Sequence, residues 1–470
     1  MININPPEHV SDILNNLTDN GHLAFLVGGC VRDAIMGRHV HDWDVATSAA
    51  PVDVAVIFPK TVSTGEKFGT VTVLAAGDTV EVTTFRVEGE YHDNRRPESV
   101  EFVAYLDQDL SRRDFTMNAM AVSVTRSLID PYDGIEDIKN RLVRCVGDPE
   151  KRFSEDALRM FRAFRFSAVL GFKIEEETLR AIYSNADKAK LISAERMRIE
   201  LEKTLMSQSP EIAGEMIKAG LLARYIAASG YSPDRLEKIE KLPVEPIMRW
   251  CVFCAILLEN HLINSAMEFL HSMHMDGKTA KICTRALSIP KFPDDRTEIK
   301  RLLQQQGVEA TRCAAAIQDV KQEASEAVRR FLRLKQGDMK QGDGSRASCE
   351  AVEQGDGSCA SAEQGDGSCA SVATMMKQGD APSIPDETEE GPPCLTALAR
   401  VSEIIASGEC FSLNKLAVSG SDLIALGHLP GMELGKTLDM LLDHVLEYPE
   451  DNKREALLKM VDNKAFSTIF

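Results

Sequence analysis

The stretch L-V-G-G-C-V-R-D-A-I-M-G-R-H-V-H-D-W-D-V-A-T, Leu26 to Thr47, decides how this chain is read. The apolar run Leu23 to Val27 predicts a buried strand that ends at Gly28 and Gly29. Behind the glycines, Cys30 to Met36 has the spacing of a short amphipathic helix. Glycines let a backbone approach a polyphosphate closely, and a helix start offers unpaired N–H groups at the positive end of its dipole. Asp42 and Asp44 follow, flanking Trp43. On a strand, period two places both carboxylates on one face, where they can share a divalent cation. Hard oxygen ligands beside a polyphosphate cradle point to Mg2+-dependent nucleotidyl transfer, one metal activating a hydroxyl and a second holding the leaving pyrophosphate.

Alone, a Gly-Gly is commonly a plain turn and a D-x-D a solvated strand end; their combination is far more specific. The set is similar to the nucleotidyltransferase superfamily that includes DNA polymerase beta. G-G-C-V-R-D with H-D-W-D-V-A-T resembles the class II tRNA nucleotidyltransferase and poly(A) polymerase family. The resemblance implies an α+β fold: a polymerase-beta-like head with a small mixed sheet, then an all-helical neck, body and tail. It further implies that Asp42 and Asp44 are catalytic and hold Mg2+, and that Gly29 and Arg32 contact nucleotide. The implied reaction adds C, C and A to the 3′ end of tRNA from CTP and ATP.

Composition fits a multidomain enzyme: 470 residues, 44% of them hydrophobic, can bury more than one core. The net charge of -18 argues at first against a nucleic-acid partner. That charge is unevenly spread, because residues 335–390 hold four basic and twelve acidic side chains. Motif-bearing stretches are locally basic, at Arg95-Arg96, Arg112-Arg113 and Arg159, Arg162 and Arg165. Met1 to Pro7 has neither a basic nor an apolar leader region, and no apolar run approaches the ~18 residues of a membrane span. Eleven scattered cysteines read as reduced thiols, giving the expectation of a cytoplasmic protein without membrane attachment. Cys251 and Cys254 form a C-x-x-C inside an apolar helical run, which favours core packing over a metal site. His271 and His274 lack clustered partners for a metal.

Beyond the D-x-D, Gly69 to Ala75 and Thr79 to Phe85 alternate apolar and polar residues around Gly77-Asp78, a hairpin pattern. Glu81 on the second strand reads equally as a third metal carboxylate or as an exposed strand residue. Glu88 to Pro97 has no apolar period and resembles the family's flexible loop, which takes part in the switch to A addition. R-R-D-F-T-M-N-A-M, from Arg112, resembles the second family motif, in which the match to Arg113 contacts the triphosphate.

Helix Glu155 to Gly171 is expected to carry Asp156, Arg159, Arg162 and Arg165 at steps of three on one face. The stretch E-D-A-L-R-M-F-R-A-F-R-F resembles the motif that serves as a protein template for the incoming base, which places these four residues among the nucleotide contacts. A carboxylate accepts from an exocyclic amine and an arginine fork donates to ring nitrogens or carbonyls, a pattern that fits cytosine and adenine. Ser193 to Thr204 matches a further helical motif that braces this one.

The expected domains are a head over 1–149, a neck over 150–206 and a helical body over 207–334. An insertion over 335–393 repeats Q-G-D, with E-Q-G-D-G-S-C-A-S twice in tandem, and is too polar to fold alone. A helical tail over 394–470 suits a tRNA contact. Three other readings stay open: an A-adding specialist, a poly(A) polymerase, and a non-catalytic RNA-binding protein. The sequence also leaves a homodimer open.

Overall fold

The head is built outward from one strand pair. Strands β1 (Ala24–Val27) and β2 (Asp44–Thr47) are antiparallel neighbours, with Phe25 opposite Ala46. Strand β3 (Thr61–Gly65) pairs antiparallel with β4 (Thr70–Ala75), and β4 with β5 (Asp78–Thr84). Strand β5 then runs parallel to β2, placing Glu81 opposite Asp44. Two short strands, β6 (Arg86–Glu88) and β7 (Val100–Phe102), pair with each other. Strands β8 (Ala121–Ser123) and β9 (Leu128–Ile129) extend the sheet beyond β1. Among the described residues this gives a seven-stranded mixed sheet of order β3-β4-β5-β2-β1-β8-β9. The computed structural model describes residues 4–65, 68–88, 100–227, 233–322 and 396–462. The loop Glu88 to Pro97, apart from Glu88, and the Q-G-D repeats lie outside them.

Helix α1 (Glu8–Asp19) covers the sheet because Val10, Ile13, Leu14 and Leu17 fall at i, i+3, i+4 and i+7. They pack with Leu26, Val45, Val73 and Val82, each fully buried side chain contributing about 1.5–3 kcal/mol. Helix α2 (Gly29–Ile35) follows the glycine turn, and α3 (Pro51–Ile57) follows β2. The β4–β5 hairpin pairs Ala75 with Asp78, so its two-residue loop is Ala76-Gly77, one residue earlier than the sequence suggests. Both loop residues take positive φ, 53° and 89°, the combination that matches strand twist in a tight hairpin.

Two sequence expectations need correction. Strand β2 begins at Asp44, so Asp42 lies in the segment before it and strand periodicity does not relate the two carboxylates. The helix expected over Glu155 to Gly171 is interrupted. Helix α6 (Pro149–Glu155) ends where Asp156 turns extended, at φ -139° and ψ 105°, and α7 (Leu158–Leu170) starts afresh. The Asp156 carboxylate accepts from Leu158 N at 3.0 Å, so it satisfies an N–H at the new helix start. Arg159, Arg162 and Arg165 keep their spacing on α7.

The head helices α4 (Leu106–Ser111) and α5 (Gly134–Asn140) precede this neck, which continues through α8 (Glu176–Asn185) and α9 (Ala194–Leu205). One apolar core spans neck, body and tail, from Phe153 and Phe161 through Trp250 and Phe253 to Leu441 and Val445. The buried Arg249 ties neck to body. It donates to the carbonyls of Leu205 at 2.6 Å, Ser207 at 2.8 Å and Leu242 at 3.0 Å. Cys251 and Cys254 are buried in this core, as is Cys283, whose Sγ lies 2.9 Å from Cys251 Sγ. His274 is exposed and contacts Glu195 at 2.5 Å. No helix among the described residues is long and apolar enough to cross a membrane.

On either side of residues 323–395 the chain is tied together by one carboxylate. Asp319 accepts from Ala397 N at 2.7 Å and Leu398 N at 3.0 Å, capping the helix Ala397–Ala406. Asp319→Ala is expected to lower unfolding free energy by about 1–2 kcal/mol, a capping loss, as measured by urea denaturation. Replacing residues 335–393 with a short Gly-Ser linker in the wild-type background should cost less than that.

Candidate active site

Gly28 takes φ 79°, a conformation that disfavours any side chain, and a Cβ there would stand 2.8 Å from Arg113 Nη1. The work of the turn is thus split between its two glycines: Gly28 supplies the conformation, while Gly29 opens α2 with more room around it. The turn edges a cavity of about 700 Å3. Every candidate residue from the sequence lines it: Gly29, Arg32, Asp42, Asp44, Arg113, Asp156, Arg159, Arg162 and Arg165. Strand β2 and the segment before it supply the acids, and α7 supplies three of the arginines.

On the acidic side, burial and like charge disfavour the ionised Asp44. Burial raises the Asp44 pKa to about 6, Glu81 adds to the rise, Arg113 opposes it and Asp42 adds a further push. Glu81 is exposed and does not line the cavity, yet its place opposite Asp44 lets its charge reach that site. Among the described residues no three His, Cys, Asp or Glu side chains converge to hold a metal by themselves. A pair of carboxylates facing an open cavity nevertheless fits a hard cation whose remaining ligands come from water and substrate phosphate.

The basic side is held by partners that sequence reasoning did not single out. Arg32 is buried, forks onto Asp33 with two contacts of 2.9 Å, and donates to Asn118 Oδ1 at 2.7 Å. Asn118 Nδ2 donates to Asp114 at 3.1 Å, and Asp114 accepts from Arg162 Nε at 2.6 Å. Burial alone would raise the Asp114 pKa, but Arg162 and Asn118 reverse that and hold it at about 2. Arg113 reaches Asp109 at 3.3 Å, and Arg112 reaches the same carboxylate at 2.7 Å. Arg165 pairs with Glu200 at 2.8 Å.

Asp156 and Arg159 both face the cavity, and each is fixed by a different neighbour. Arg196 of α9 donates to Asp156 at 2.8 Å. Arg159 donates to Glu155 at 2.6 Å and to the carbonyls of Arg112 at 2.8 Å and Arg152 at 3.1 Å. Asp114, Asn118 and Arg196 sat inside motifs already quoted from the sequence. The available signal was electrostatic, since an arginine-rich helix face packed into a fold needs carboxylates from other elements.

A model of the poly A polymerase head domain matches residues 24–144, and one described as the probable RNA and SrmB-binding site of polymerase A matches 171–226. The chain is 52% identical over 283 residues to the CCA-adding enzyme of Lactobacillus helveticus, covering 60% of this chain and 70% of that relative. The chain belongs to the CCA-adding enzymes, which are tRNA nucleotidyltransferases. The family's Bacillus velezensis member is 43% identical over 283 residues, covering 59% of this chain and 70% of its own. The solved structure of the Bacillus stearothermophilus CCA-adding enzyme in complex with CTP superposes with a TM-score of 0.67 at 28% identity, covering 98% of each chain. The Thermotoga maritima CCA-adding enzyme complexed with tRNA shares the fold, with a TM-score of 0.61 at 18% identity over 98% of this chain and 97% of its own.

The Asp114–Arg162 pair yields a pH prediction. A folded pKa near 2 lies below the unfolded carboxylate value of about 3.9, so the stabilisation is present above pH 4 and lost as pH falls towards 2. Asp114→Asn should be less stable than wild type at pH 7 by about 3 kcal/mol, the cost of a buried unpaired charge. Chemical denaturation between pH 7 and pH 2 should show that gap narrowing only below about pH 4.

Proposed function

We propose that the protein adds C, C and A to the 3′ end of tRNA, using CTP and ATP and no nucleic-acid template. The observation that carries this reading is the convergence of the acid pair, the glycine turn and the arginine-bearing α7 on one cavity. Relatives named as CCA-adding enzymes, one of them solved with CTP and another with tRNA, support the same substrates here. In the reaction, the tRNA 3′-hydroxyl gives up its proton to solvent and its oxygen forms a bond to the α-phosphorus of the nucleotide. The bond from that phosphorus to the bridging oxygen breaks, and pyrophosphate leaves with the electron pair.

Asp42 and Asp44 would hold Mg2+, which when bound supplies hydroxyl activation and neutralises the departing pyrophosphate, two ions sharing those tasks. Arg32 and Arg113, beside the glycine turn, bind the triphosphate together with Gly29. Arg162 and Arg165 add positive charge along α7. Asp156 accepts from the exocyclic amine of the base and Arg159 donates to its ring, while Arg196 and Glu155 keep the two oriented. The head over 1–149, neck over 150–206, body over 207–334 and tail over 394–470 divide the work between chemistry, base selection and tRNA binding. The setting is a cytoplasmic one.

The test supplies tRNA lacking its whole CCA end, and separately tRNA ending in CC, with each nucleotide alone and with CTP plus ATP. Full CCA addition to the first substrate is the expected result; addition of A to the second alone would make the protein an A-adding specialist. Long A tracts on arbitrary RNA would make it a poly(A) polymerase. Asp44→Ala should abolish C and A incorporation together, and near-normal activity in that variant would refute the metal assignment.

Base selection has its own signature. Groups fixed to read one hydrogen-bond pattern reject a wrong base because they are left unpaired, about 1–3 kcal/mol per group. Arg159→Ala should therefore raise UMP and GMP incorporation relative to CMP and AMP, whereas Arg113→Ala should slow all four nucleotides alike. Single-turnover incorporation measured with each nucleotide distinguishes the two patterns.

A further inference from the structure

Phe166 lies on α7 with only 6% of its surface exposed, and its ring lines the nucleotide cavity. Three guanidinium groups gather over that ring. The central carbon of Arg165 is 4.0 Å from the ring centroid, that of Arg32 5.1 Å and that of Arg162 5.3 Å. Arg32 comes from α2 of the head, and the other two come from α7 itself. Phe115 meets the ring edge-on at 5.7 Å and 84°, which fixes its tilt from the apolar side. No role in nucleotide binding follows for Phe166 from the motifs or from the charge pattern.

We propose that Phe166 is a positioning residue that collects head and neck arginines into one cationic wall for the nucleotide's phosphates. This rests on the reading of the cavity as the nucleotide site. The physical argument turns on which part of a guanidinium each anchor uses. A carboxylate partner occupies the in-plane N–H donors, and those are the donors that a phosphate needs. An aromatic face attracts the cation through its quadrupole, from above the plane, and leaves the N–H edges free. Even with Asp33, Asp114 and Glu200 as partners the three cations repel, since burial and then the charges of Arg162 and Arg32 push the Arg165 pKa down against the pull of Glu200; a leucine of similar bulk would pack without offsetting that repulsion. Each of the three already spends donors on a carboxylate, Arg32 on Asp33, Arg162 on Asp114 and Arg165 on Glu200, and the ring adds an anchor that takes none of the donors left over.

Fluorinated phenylalanines test this directly, because successive fluorines weaken the ring's quadrupole while nearly keeping its shape. The readout is the Kd of CTP and of ATP by titration calorimetry on the full chain, with kcat and KM for tRNA extension alongside. Phe166→Leu should weaken both nucleotides by about tenfold, Phe166→Tyr should bind within about twofold of wild type, and affinity should fall stepwise from mono- to trifluorophenylalanine. KM should carry the change while kcat stays near wild type. A flat fluorine series overturns the proposal even if Phe166→Leu binds poorly or fails to fold, since packing alone would then explain the residue. Wild type that binds neither nucleotide would overturn the cavity reading itself, and this inference with it; binding by wild type with a flat series overturns the inference alone.

Discussion

The buried contact between Asp114 and Arg162 is the constraint on which the rest of the site depends. Asp114 belongs to the turn after α4 in the head, and Arg162 to α7 in the neck, so the pair crosses the boundary between sheet and helices. Separating the two would leave a buried charge unpaired, at a cost of about 3–5 kcal/mol. Against a well-packed apolar alternative such a pair adds little net stability, so what it contributes here is a fixed relative position. Through Asn118 the same carboxylate reaches Arg32, which joins the glycine turn to the neck by a chain of hydrogen bonds.

The cavity that results is electrically two-ended. At one end burial, helped by the charge of Glu81 and least by that of Asp42, raises the Asp44 pKa, whereas at the other the arginines are neutralised piecemeal by carboxylates from several elements. A triphosphate carrying a cation answers both ends at once, with phosphate oxygens for the guanidiniums and metal charge for the carboxylates. The proposed chemistry thus uses an imbalance already present in the fold.

Local patterns made much of this legible from sequence. The apolar strand, the Gly-Gly turn, the alternating hairpin and the arginines three apart on α7 are all short-range signals, and the mixed sheet with a helical remainder follows from them. What stayed hidden depends on tertiary contacts or on competing local ones. A three-residue step continues through Asp156 whether it lies in a helix or caps one, and the spacing cannot reveal that its carboxylate binds Leu158 N. The strand start at Asp44 depends on pairing with β1 and β5 rather than on D-x-D itself. Glu81 could not be placed because its parallel register with Asp44 joins strands far apart in the chain. The partners Asp114, Asn118 and Arg196 were visible as residues but not as contacts.

The proposed base selection shows why such hidden contacts matter. A carboxylate and a guanidinium a helical turn apart would be expected to pair with each other, which would silence both as readers of a base. In this fold Asp156 turns out of the helix and is taken by Arg196, while Arg159 is taken by Glu155 and two backbone carbonyls. Each group keeps a fixed direction without consuming the other, and the entropy of orienting them is met during folding rather than when nucleotide binds. Base selection without a nucleic-acid template, as proposed, would need that separation, because the hydrogen-bond pattern must be set before the base arrives.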